Sequence, residues 1–140
     1  MTGESITRIR CDRPIPLIPR YRHIRTLGEG TTADVHHFRQ NSTGMDVAVK
    51  VIRKPLDEGT GERFDAETHL MARVADDPFI LTMVVAGTTT DDRGYIILEY
   101  APEGSCKQAI HRHPLGVEQA LDFGISIAGA LESAHRAGII

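Results

Sequence analysis

Apolar and polar residues alternate with a period of two in several short segments of the chain, which is the pattern of half-buried β-strands. Turn residues separate these segments, for example in the run Asn41–Gly44. We therefore predict five strands, over residues 21–29, 34–40, 45–53, 80–88 and 94–100.

A helical repeat replaces the alternation in three other places. Residues 62–75 carry apolar side chains at spacings of three and four and predict a helix, preceded by a loop over 54–61. A short helix is predicted over 105–111 and a long one over 117–137. The long helix has one apolar face, formed by Val117, Leu121, Ile125, Ala128 and Leu131.

The first twenty residues differ from the rest because prolines interrupt them at Pro14, Pro16 and Pro19. Proline at these spacings blocks a helix and favours an extended leader. The leader is interpreted as a strap against the first strand, with a ligand for a proline-recognising partner as the alternative.

Composition bears on the partners and the cellular location expected of the protein. The net charge of −3 and the absence of a basic block argue against nucleic acid as a partner. Cys11 and Cys106 stand alone, which favours free thiols in a reducing compartment. No signal-peptide core and no run of about 18 apolar residues is present, so we expect no membrane segment within these residues and a cytoplasmic location.

The most informative chemistry is a glycine-rich hairpin, Leu27–Val35, followed by a strand that ends Val47-Ala48-Val49-Lys50. A Walker loop or a dinucleotide fingerprint would lead into a helix, whereas this hairpin leads into a second strand. Gly28 and Gly30 are expected to let the backbone approach a phosphate and to adopt angles closed to other residues. A plain hairpin turn is the structural alternative.

Lys50 and Glu67 are charged residues in apolar surroundings. Strand alternation places Lys50 on the same face as Ala48, where an ammonium group needs an anion; the alternative is a lysine that reaches water at the strand edge. Glu67 lies in the middle of the apolar stripe of the helix predicted over 62–75. A carboxylate there needs a cation, unless it lies on the helix surface; Glu62 is the weaker candidate.

These motifs, together with Tyr95–Ala101, resemble those of a bacterial-type serine/threonine protein kinase from Tyr21 to Ile140. The resemblance implies an α+β fold: a small lobe with a five-stranded antiparallel sheet and one helix, then a hinge and the first helices of an α-helical large lobe. It divides the chain into an extended leader (1–20), the small lobe (21–98) and the hinge with an incomplete large lobe (99–140).

The resemblance also implies a function, the transfer of the γ-phosphoryl group of ATP to serine or threonine of a protein substrate. Lys50 would orient the α- and β-phosphates and Glu67 would orient Lys50. Ala33 departs from the family pattern, which has a third glycine there. The residues expected to contact ATP are Leu27, Gly28, Glu29, Gly30, Thr31, Val35, Ala48, Lys50, Leu98, Glu99, Ala101 and Ser105.

Nothing in these 140 residues matches the catalytic loop of that family. The apolar Ile139-Ile140 ending is interpreted as a cut just before that loop, so the magnesium ligands are expected further along and no metal site is expected here. Asp122-Phe123-Gly124 and His111-Arg112-His113 resemble family signatures but occur out of order. The alternative function is a truncated or degenerate kinase-like module that binds nucleotide or a partner without catalysis.

Overall fold

The computed structural model describes residues 14–140, and the part of the leader before residue 14, with Cys11, lies outside the described residues. Five strands form one antiparallel sheet in the order β1-β2-β3-β5-β4. They are β1 (Tyr21–Glu29), β2 (Ala33–Gln40), β3 (Asp46–Pro55), β4 (Met83–Thr88) and β5 (Arg93–Glu99). The helices are α1 (Glu58–Arg73), α2 (Cys106–Arg112) and α3 (Val117–Arg136). The predicted α+β fold is confirmed.

The core of the sheet lies on one face, here called the outer face and defined by Val47, Val49 and Val51 of β3. All three side chains are buried, and they cluster with Phe38 of β2 and Ile97 of β5. Because side chains alternate along a strand, Ala48 and Lys50 point to the opposite face. The side chains of Val47, Val49 and Val51 thus fill the core, and the alternate residues Ala48 and Lys50 are left on the opposite face of the sheet.

The leader packs onto the outer face. Ile18 is a buried member of the core cluster, and its carbonyl oxygen accepts a hydrogen bond from the Tyr21 amide at 3.1 Å. The Arg93 guanidinium donates to the carbonyl oxygen of Pro14 at 3.4 Å. The described part of the leader therefore acts as a strap over the sheet.

Helix α1 begins at Glu58, so the predicted loop over 54–61 and the predicted helix start at 62 were wrong. The reason is an N-terminal cap: Asp57 accepts a hydrogen bond from the Thr60 amide at 2.7 Å, and the Thr60 hydroxyl accepts one from the Asp57 amide at 2.7 Å. Such a cap contributes about 1 kcal/mol, which offsets much of the cost of a glycine in the first turn.

Strand β4 begins at Met83, three residues later than predicted. A turn occupies the preceding residues: the Asp77 carboxylate accepts from the Phe79 amide at 2.8 Å, and the Asp77 carbonyl accepts from the Ile80 amide at 3.2 Å. These bonds hold the backbone of residues 77–80 in a turn and delay its entry into the sheet.

Helix α3 exposes the apolar face predicted for it. Val117 is 78% exposed, Leu121 60% and Ile125 68%. Gly138, just after the helix, has the left-handed backbone (φ 76°) expected of a glycine cap. None of the helices between residues 14 and 140 combines the length and the apolar character that crossing a bilayer would require.

Candidate functional site

A cleft of about 780 Å³ lies between the glycine-rich hairpin and the segment that follows β5. Its apolar wall comes from β1, β2 and β3, and its opposite wall from residues 99–105 and α2. Seven of the residues expected to contact ATP line it: Leu27, Gly28, Val35, Ala48, Glu99, Ala101 and Ser105. A second depression involves only residues of α3, such as Leu131 and His135, so it has no facing wall.

The remaining predicted residues surround the cleft without lining it. Lys50 is the cross-strand partner of Val35, and Leu98 is the cross-strand partner of Ala48. Lys50 and Leu98 are therefore direct neighbours of residues that line the cleft. Glu29 ends β1, and Gly30 and Thr31 form the hairpin tip beyond it. The structure therefore places the predicted set around one region of the molecule.

The hairpin is tight at Gly30. Its amide donates to the carbonyl oxygen of Ala33 at 2.9 Å, and a Cβ at Gly30 would stand only 2.8 Å from that oxygen. A Cβ at Gly28 would meet nothing within 4 Å. Neither glycine has a positive φ, so the prediction that both adopt angles closed to other residues was wrong. Close approach of the backbone explains Gly30 instead.

Lys50 and Glu67 form an ion pair, with 2.5 Å between Nζ and Oε1. The pair joins the cleft face of β3 to α1, whose Phe64 is buried one turn before Glu67, and Val74, the C-terminal cap of the helix, is buried as well. The two side chains are 32% and 39% exposed, so the pair contributes at most about 1 kcal/mol to stability. Its main physical effect is to orient the lysine ammonium group. Glu62, the weaker candidate partner for Lys50, is exposed.

Every residue of segment 99–105 lines the cleft. The Glu99 amide donates to the Thr82 carbonyl at 2.9 Å, and the Gly104 amide donates to the Ala101 carbonyl at 3.2 Å. Among residues 14–140 the Ala101 amide has no hydrogen-bond acceptor. A donor of this kind at the edge of a cleft is suited to a flat heterocyclic acceptor.

Ser105 has a structural role in addition to its place in the cleft. Its hydroxyl oxygen accepts from the Gln108 amide at 3.2 Å, and its own amide donates to Oε1 of Gln108 at 2.9 Å. These bonds form a capping box at the start of α2. The cap fixes the lower rim of the cleft.

Sequence reasoning missed a group of side chains that connect the sheet to this segment. The Tyr100 ring stacks on His37 with a centroid distance of 4.2 Å, and its hydroxyl accepts from the Arg25 guanidinium at 3.2 Å. Nε2 of His37 and Oδ1 of Asp46 are 2.8 Å apart. The Arg39 guanidinium, and secondly His37, lower the pKa of Asp46 to about 2. Other cleft residues missed were Leu81, Gln108, His111 and Arg112.

The protein kinase domain family model matches residues 21–140 of this sequence. The chain belongs to the protein kinase family. The kinase PknK of Mycobacterium tuberculosis, named as serine/threonine-specific, is 35% identical over 121 residues, covering 86% of this chain and 11% of PknK. A probable serine/threonine-protein kinase of Streptomyces coelicolor is 33% identical over 135 residues, and the match covers 92% of this chain and 20% of the Streptomyces protein. The chain thus spans between about a tenth and a fifth of these relatives.

The chain contains short signatures whose positions differ from their usual order in the protein kinase family. Asp122-Phe123-Gly124 lies inside α3, and Ala101-Pro102-Glu103 follows β5 directly. His111 and Arg112 end α2, followed by His113 as its C-terminal cap. Because they lie in helices or at the cleft rim and occur out of order, we interpret these matches as coincidental.

Proposed function

We propose that this chain is the ATP-binding part of a serine/threonine protein kinase, which transfers the γ-phosphoryl group of ATP to a protein serine or threonine. One observation carries the proposal: the ion pair between Lys50 and Glu67, located beside a glycine-rich hairpin that covers a cleft. Kinship with named serine/threonine kinases supports it. The division into a small lobe (21–98) and a hinge with large-lobe helices (99–140) is part of the same proposal.

The adenine ring would lie against the apolar wall of the cleft. Leu27, Val35 and Ala48 line that wall, and Ala48 is small enough to admit a flat ring. The Ala101 amide would donate to a ring nitrogen, and the Ser105 hydroxyl would lie near the ribose. This arrangement leaves the triphosphate to extend beneath the hairpin toward Lys50.

Lys50 supplies the charge that the phosphates need. Phosphoryl transfer depends mainly on positioning and on electrostatic stabilisation of oxygens that are already charged. Glu67 holds the ammonium group in place before ATP arrives, so little reorganisation is needed when it binds. ATP is available in the cytoplasm, where we place the proposed reaction.

The family uses Mg²⁺ together with ATP. Among residues 14–140 no group of three or more acidic, histidine or cysteine side chains is arranged to hold a metal ion.

The experiment compares Lys50→Met with the wild type of the full-length gene product, using transfer of radiolabelled phosphate from ATP to a generic basic protein. Removal of one charge that stabilises the reacting phosphates should lower the single-turnover rate by about 10²–10³. Lys54→Met, an exposed lysine on the same strand, is the matched control and should keep the wild-type rate. Equal rates for Lys50→Met and wild type would overturn the role of Lys50. A wild type that binds ATP but transfers no phosphate would favour the non-catalytic module.

A further inference from the structure

Arg53, on β3, contacts the returning limb of the glycine-rich hairpin at two points. Its guanidinium donates to Oδ1 of Asp34 from Nε at 2.9 Å and from Nη2 at 2.6 Å. Its backbone amide donates to the Thr32 carbonyl at 2.9 Å. Arg53 therefore contacts both the tip of the hairpin, at Thr32, and the start of β2, at Asp34.

The ion pair is well shielded from water. The side chains of Arg53 and Asp34 are 19% and 12% exposed, compared with 32% and 39% for Lys50 and Glu67. Salt screens a shielded pair less than an exposed one, and hydrogen bonds to charged groups contribute more than neutral ones. The contact is therefore suited to holding the hairpin in one position.

The charges around the hairpin explain why a cation is needed there. Asp34 lies directly opposite Glu29 in the register of β1 and β2, and like charges at such positions repel. A triphosphate beneath the hairpin would add more negative charge. The ion pair with Arg53 places a positive charge beside Asp34 and so reduces both repulsions.

Arg53 acts from the side away from the cleft. Asp34 lies between Ala33 and Val35 on β2, and strand alternation points it to the face opposite Val35, which lines the cleft. Arg53 is absent from the cleft lining. Its contacts with Thr32 and Asp34 give it a route to a bound nucleotide through the position of the hairpin.

We propose that Arg53 is a positioning residue that holds the hairpin tip, residues 28–33, in the place from which its backbone contacts the phosphates of ATP. This inference rests on the proposed function. Lys50 would then define the lower boundary of the phosphate site, and the hairpin held by the Arg53–Asp34 contact would define the upper one.

The first test measures hydrogen exchange of the hairpin amides in the full-length gene product without nucleotide. Arg53→Gln should increase exchange over residues 28–33 about tenfold, because it removes charge-assisted hydrogen bonds. Arg39→Gln is the matched control, since Arg39 pairs with Asp46 between the same two strands at their other end. Equal exchange in Arg53→Gln and wild type, or an equal increase in Arg39→Gln, would overturn the inference.

The second test compares the affinities for ATP and adenosine, because adenosine lacks the phosphates. Arg53→Gln should weaken ATP binding about tenfold and leave adenosine binding unchanged, and Arg53→Lys should recover part of the loss because it keeps the charge. Full ATP affinity in Arg53→Gln, or equal losses for both ligands, would overturn the positioning role alone. A wild type that binds no ATP would overturn the proposed function and this inference together.

Discussion

At the scale of single residues, the two glycines of the hairpin make different contributions. Gly30 has no room for a side chain, because a Cβ would press on the Ala33 carbonyl oxygen that accepts the Gly30 amide. Gly28 has open space around it and an ordinary φ. Of the two positions, only residue 30 requires glycine in the folded structure.

We therefore predict that Gly30→Ala lowers the free energy of unfolding by about 1–3 kcal/mol through local strain. Gly28→Ala should leave it unchanged or raise it by less than about 1 kcal/mol, because alanine restricts the unfolded chain. Urea unfolding of both variants measures the difference. Equal destabilisation by the two substitutions would show that the tight contact at Gly30 is unimportant.

The contact between Lys50 and Glu67 could be predicted because each charge stands out in an apolar pattern. Their roles toward ATP stay predictions. The contact of Arg25 with Tyr100 could not be predicted, because it joins residues 75 positions apart that show no unusual local pattern. The Arg53–Asp34 pair was missed for the same reason, since polar side chains are common at strand ends.

At the scale of elements, β2 and β3 are joined by an ion pair at each end. Arg53 and Asp34 pair at the hairpin end, and Arg39 and Asp46 at the other, where Nε and Oδ1 are 2.7 Å apart. The lowered pKa of Asp46, about 2 against an ordinary 3.8, shows that the folded state favours its charged form. Asp46 therefore stabilises the fold above pH 4, and this stabilisation disappears as the pH falls toward 2.

Asp46→Asn should lower stability at pH 6 and flatten the loss of stability between pH 4 and pH 2, because the variant has no carboxylate to protonate. Urea midpoints at pH 6, 4 and 2.5 test this. Asp65→Asn is the control, an exposed carboxylate on α1 that forms no ion pair within residues 14–140. If Asp46→Asn and wild type lose stability in parallel as the solution is acidified, the assigned cause is wrong.

The bounds of the elements show what the pattern could and could not predict. Four strands were predicted to within two residues at each end, because their alternation follows from burial of one face, whereas β4 begins three residues later than predicted. The start of α1 was missed because Gly59 and Gly61 suggested a loop, whereas the cap formed by Asp57 and Thr60 decides it. Capping bonds of this kind are worth about as much as the propensities that oppose them, so a sequence pattern alone does not show which prevails.

At the scale of the whole molecule, one face of the sheet is buried in the core, whereas the apolar face of α3 is exposed to solvent. The apolar side chains of α3 are exposed from Val117 to Leu131, and contiguous exposed apolar patches favour association. We predict that residues 1–140 self-associate and that residues 14–104, which lack α2 and α3, do so less. Retaining residues 14–19 matters because Ile18 is part of the core. Light scattering at matched concentrations tests this, and a monomeric, cooperatively unfolding chain of 140 residues would contradict it.

The central claim, that Lys50 meets the phosphates of ATP, can be tested most directly with an ATP derivative that carries an acyl group on its γ-phosphate. A nearby amine attacks the acyl carbon, forms an amide and releases ATP, so peptide mass spectrometry identifies the lysine beside the phosphates. We predict rapid acylation of Lys50, suppressed by excess ATP, and slow acylation of Lys54 and Lys107 that ATP does not change. Acylation of Lys50 that is no faster than that of Lys54 and insensitive to ATP would contradict the account.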